Sequence, residues 1–147
     1  MSESVLKLPA PREKLAGCMW LPRIVAKARL LVAGKLPDDY VKRFGHVSGV
    51  DGYFLTHFRL TRDEIVAMAS QPDAEIAGWF ASRADGGEKR TAEWNHLAVN
   101  LGRAGFPLAE RFPIAKTTIY KHVAQDSHAT IFELLEADEG IEPSTSC

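Results

Sequence analysis

The chain has 147 residues, 46% hydrophobic and 25% charged, with 18 Lys/Arg against 19 Asp/Glu and a formal net charge of −1. That is the size and composition of one ordinary globular domain with enough material for a real core. It excludes a chain steered as a whole to nucleic acid or anionic lipid, and two cysteines exclude a disulfide framework. The charge is unevenly spread. Residues 1–35 hold seven Lys/Arg and two acids, whereas residues 126–147 hold six acids and no Lys or Arg.

The opening "MSESVLKLPAPREK" lacks the apolar core of a signal peptide, so a reduced, cytoplasmic setting is expected, with Cys147 a free surface thiol. The longest apolar stretch is broken by basic residues and is too short to span a bilayer, which needs roughly 20 residues, so no membrane is expected. Residues 1–10 read as an arm, 11–140 as the domain and 141–147 as a mobile tail.

The first helix is predicted from Pro22, whose missing N–H costs nothing in a first turn. Leu21, Ile24, Val25, Ala28, Leu31 and Val32 form its apolar stripe, and Gly34 is the natural stop. Arg23 and Lys27 lie one turn apart on one flank and Arg29 on the other, with no acid in the segment. "KLPDDYVKRFGH" reads as a short helix with Asp38 and Asp39 at its positive end. "VSGVDGYFLTHFRL" is ambiguous between a glycine turn and a buried aromatic segment. Thr61 and Glu64 form a capping box, and Leu60 with Ile65 a hydrophobic staple, at the head of the next helix. A helix starting near Pro72 is expected to stop at Gly86-Gly87. The one that follows aligns Trp94, Leu97, Ala98, Leu101 and Ala104. "AKTTIYKHVAQ" and "HATIFELLEADEG", the latter stopping at Gly140, complete the set. No period-two run of six residues occurs, so the expected fold is all-α: a single domain of about six or seven short helices.

"PREKLAG" followed by "WLPRIVAKARLLVAGKLPDDYV" resembles the opening of a family of small bacterial proteins, the domain-of-unknown-function family 5069. "GVDGYFLTHFRLTRDEI", "DAEIAGWF", "EWN" and "TIFELLEADEG" resemble its later blocks in the same order, from about Pro11 to Gly140. The resemblance implies a bacterial, cytosolic, mainly helical domain and brings no catalytic residue with it.

The acid-free basic flank is the foremost candidate site. Arg12, Lys14, Arg23 and Lys27 are placed to converge on a small anion, because guanidinium groups pair with carboxylate or phosphate through parallel N–H bonds. In that reading Arg12 and Arg23 hold the anion, Lys27 adds charge, and Trp20 or Trp94 forms an aromatic wall. The alternative is that these cations are solvated, or pair with Glu133, Glu136, Asp138 and Glu139. Asn95, mildly unfavourable inside a helix, is a candidate for bonding a ligand or a backbone group. Asp51 is either a turn or capping residue or part of the site.

Two enzymatic readings stand beside the binding one. Cys18, just before the basic helix, has the surroundings that lower a thiol pKa. His57 and Asp51 make a candidate general-base pair across a turn. The five histidines lack metal-site spacing, and no cofactor motif occurs. His96 is expected to be exposed. A structural homodimer is a third reading. "TTIYKH" hints at a DNA-recognition helix, but Lys116 and Lys121 are too little basic support, so nucleic acid is not the expected partner.

Overall fold

The computed structural model describes residues 8–46, 49–83, 87–119 and 130–139. The chain enters through a hairpin that the sequence does not announce. β1 (Lys14–Leu15) and β2 (Cys18–Met19) pair antiparallel, with Leu15 opposite Cys18. Ala16 and Gly17 between them have φ of 54° and 74°. Two successive positive-φ residues let a two-residue turn follow the twist of its strands. The domain is helical as expected, with this two-residue hairpin as the one small sheet among the described residues. Strands of two residues are too short to leave an alternating pattern.

α1 (Leu21–Val32) carries Pro22 in its first turn, as expected. It ends where Gly34, at φ 73°, donates its N–H to Leu31 O (3.1 Å) and Lys35 donates to Leu30 O (2.8 Å). Those two closing bonds need a left-handed residue, hence the glycine. The buried face of α1 holds Leu21, Ile24, Val25 and Ala28, but also Arg23 and Lys27. α2 (Asp38–Arg43) starts on its two aspartates and buries no residue. The ambiguous segment is α3 (Val50–Phe58): Val50, Phe54 and Phe58 recur every four residues, with Asp51 and Leu55 beside them. This helix brings the number among the described residues to eight rather than six or seven.

α4 (Arg62–Met68) opens on the expected capping box. Thr61 Oγ1 accepts from the Glu64 N–H (3.1 Å), and Glu64 Oε1 accepts from the Thr61 N–H (2.9 Å). α5 (Asp73–Ser82) ends short of the glycines expected to stop it, and Gly87 instead caps the start of α6 (Glu88–Asn100). α7 (Phe112–Ile119) begins three residues before "AKTTIYKHVAQ"; the rest of that segment, Gly140 and residues 141–147 lie outside the described residues. α8 (Ile131–Asp138) is the last element.

The core centres on Phe54, Phe58, Phe80 and Trp94, all with essentially no exposed surface. Phe58 meets Phe80 at 4.8 Å between ring centroids, and Phe54 meets the Trp94 ring edge-on at 5.3 Å. Gly102, at φ 95°, lets α8 approach the end of α6. A Cβ there would lie 3.1 Å from Ile131 Cγ1 and 3.2 Å from Ile131 N. The approach is fastened by Ile131 N–H to Leu101 O (2.8 Å), while Gly102 N–H donates to Pro107 O (2.9 Å) in the loop before α7. No helix among the described residues is long and apolar enough to cross a membrane.

Candidate ligand-binding site

Trp20 joins the hairpin to α1 in a left-handed conformation, φ 75°. A bulky side chain holds that backbone only where its surroundings impose it. Here the indole stacks on Phe132 (5.5 Å, 18° between planes), and its Nε1–H donates to Asp51 Oδ1 at 2.7 Å. On the indole, Arg23 Cζ and Lys27 Nζ lie 5.1 and 5.0 Å from the ring centroid, within cation–π range.

Asp51 is a buried acid in the first turn of α3, not a loop residue. Lys27 Nζ stands 3.3 Å from each of its oxygens, and the Gly45 N–H donates to Oδ2 at 3.0 Å. Burial pulls the Lys27 pKa below the ordinary lysine value; Arg23 and Arg43 press the same way, while Asp51 opposes them. Between the lowered and ordinary values the unfolded chain still holds a proton that the folded chain has released. Folding stability therefore rises with pH across that window. Denaturant titrations at stepped alkaline pH are expected to show the rise in the wild type and its loss in Lys27→Met. Identical pH slopes in the two proteins would exclude it.

The arginines of the N-terminal segment find partners too. Arg23, only 1% exposed, forks onto Glu139: Nη1 donates to Oε1 at 2.9 Å and Nη2 donates to Oε2, while Nη1 also reaches Pro9 O at 3.1 Å. Its Nε is buried with no hydrogen-bond partner. Arg12 pairs with Glu136 at 2.9 Å. Arg29 donates to Ala69 O and Gln71 O and pairs with Asp73 at 2.9 Å. The alternative in which the basic start pairs with the acidic end therefore holds for Arg12 and Arg23.

A cavity of about 500 Å³ opens beside this cluster. Trp20, Arg23, Lys27 and Asp51 line it, so four of the seven residues singled out from sequence come together. Arg12, Trp94 and Asn95 do not. Trp94 Nε1–H donates to Met19 O (2.9 Å), Asn95 Oδ1 accepts from the Met19 N–H (2.9 Å), and Asn95 Nδ2 donates to Gly17 O (2.9 Å). This pair clamps the hairpin onto α6 rather than facing a ligand. Sequence reasoning missed Tyr40, Lys42, Arg43, His46, Leu108 and Arg111, which also line the cavity. The α2 cations follow two aspartates and so read locally as dipole-matched helix ends. Five Lys/Arg and two acids line the cavity, a net +3 with His46 neutral.

The enzymatic candidates fare differently. Cys18 is fully buried, its Sγ donating weakly to Met19 O at 3.4 Å, and burial pushes its thiol pKa well above the ordinary value. It is held as neutral thiol, the opposite of an activated nucleophile. His57 and Asp51 do not pair. They are six residues apart on one helix, hence on different faces, and His57 Nε2 bonds Arg90 O at 2.8 Å. His96 is exposed, as expected. Among the described residues, no group of three His, Cys, Asp or Glu is arranged to hold a metal; His122 and His128 lie outside them.

Fold and site together define a mostly helical domain with an aromatic core, a buried ion-paired cluster and a basic cavity beside that cluster. The chain belongs to the family described as Domain of unknown function (DUF5069), whose model matches residues 7–141. No curated protein and no solved structure gives a significant match.

Proposed function

We propose that the protein is a binding module that takes a small anionic ligand in the cavity beside α1, α2 and α3. The observation that carries this reading is the charge of the lining. Asp51 and Glu139 are already committed to Lys27 and Arg23. Lys42, Arg43 and Arg111 remain as the excess, and no acid among the described residues pairs with them. Arg23 and Arg43 both act on Lys27 as like charges. An anion entering there relieves that repulsion and gains charge-assisted hydrogen bonds. The volume lies within the roughly 300–1,000 Å³ of ordinary ligand pockets.

The buried cations hold the fold, so the test belongs on the exposed ones. Calorimetric titration of the wild type with phosphates and carboxylates is expected to give saturable binding. Arg43→Ala/Arg111→Ala is expected to weaken it by about tenfold or more, since a hydrogen bond to a charged group contributes about 1.5–3 kcal/mol. No saturable binding, or equal binding by both proteins, overturns the reading.

A further inference from the structure

The lining of the cavity changes character with the element that supplies it. α1, α2 and the turn into α3 bring Arg23, Lys27, Lys42, Arg43 and His46. The loop before α7, with α7, α8 and the residue after it, brings Arg111, the Glu139 already paired with Arg23, and four apolar residues, Leu108, Ala115, Ile131 and Leu135. Of these four only Ile131 is buried; the other three keep apolar surface open. Leu108 sits in a left-handed conformation, φ 70°, as Trp20 does at φ 75°. Two of the four non-glycine residues with positive φ among the described residues thus line one cavity. Backbone strain of this kind gathers where a structure holds a side chain for a ligand. The Leu108 loop is also pre-set. Its carbonyl accepts from the Arg111 and Phe112 N–H groups (3.1 and 3.0 Å), and Gly102 ties down Pro107 (2.9 Å).

A bare inorganic anion has no use for the leucine side of this lining, and a neutral apolar molecule has none for the basic side. From this, resting on the anion-binding reading above, we infer that the ligand class is an amphiphilic anion, one carboxylate or phosphate head carrying an apolar chain or ring. The head meets Lys42, Arg43 and Arg111. The body lies against Leu108, Ala115 and Leu135. Nothing has to fold on binding, because both sides are already in place.

A homologous series of linear carboxylates from acetate to decanoate, with the alcohol of each length as control, tests the inference by calorimetry on the full chain. Affinity is expected to rise about three- to fourfold per added methylene until the cavity is full. Each alcohol is expected to bind at least tenfold more weakly than its acid. In Arg43→Ala/Arg111→Ala the acid and alcohol are expected to converge, and in Leu135→Asn the dependence on length is expected to flatten. If acetate binds as tightly as octanoate, the amphiphile inference falls and the small-anion reading stands. If octanol matches octanoate in the wild type, or no member of the series binds, both fall.

Discussion

Asp51→Ala is expected to lose about 3–5 kcal/mol of folding stability, the cost of stranding one member of a buried ion pair. The carboxylate serves three donors from three places in the chain: the Trp20 indole, the Lys27 ammonium and the Gly45 N–H. Its removal leaves all three without that acceptor, and it frees the left-handed Trp20 from the bond that anchors its ring. For a domain near this size the loss lowers Tm by about 6–20 °C. Asp51→Asn keeps an oxygen for Trp20 but no charge for Lys27, and is expected to fall in between. Urea midpoints at unchanged m are the measurement. A loss below about 1 kcal/mol for Asp51→Ala, within the range of an exposed pair, contradicts the burial described.

Trp94→Ala is expected to cost a comparable amount, about 3–5 kcal/mol, for a different reason. The indole is fully buried against Phe54, His57 and Phe58, so truncation opens a void that three rigid rings cannot close. It also removes the donor to Met19 O. Trp94→Phe keeps a six-membered ring in the space and loses the pyrrole part of the indole with its N–H, so it is expected to cost clearly less. Equal losses in the two variants assign the effect to the hydrogen bond and exclude the packing account.

What could be read from sequence was local. Pro22, Gly34 and the Thr61–Glu64 box each act within a turn or two, and each stands where local chemistry puts it. α3 was legible in principle from Val50, Phe54 and Phe58, but Gly52 lies in the middle of it and the glycines before it speak for a turn. The hairpin was not legible, because its φ-positive Ala16 carries no compositional mark. At the site, Arg23 and Lys27 stood out as cations without a neighbouring acid. Their counter-charges lie 116 and 24 residues away, so no spacing rule names Glu139 and Asp51 as the pair. Lys42, Arg43 and Leu108 escaped for the same reason: what makes them line a cavity is the path of the chain.

That difference in separation orders the assembly of the protein. The Lys27 ammonium meets its acid 24 residues away, as soon as α1 and α3 come together. Arg12 and Arg23 find theirs only when α8 arrives. Closing so long a loop is slow relative to local pairing. A nascent chain therefore carries two uncompensated guanidinium groups until α8 has been made, and this long-range join closes after the local one.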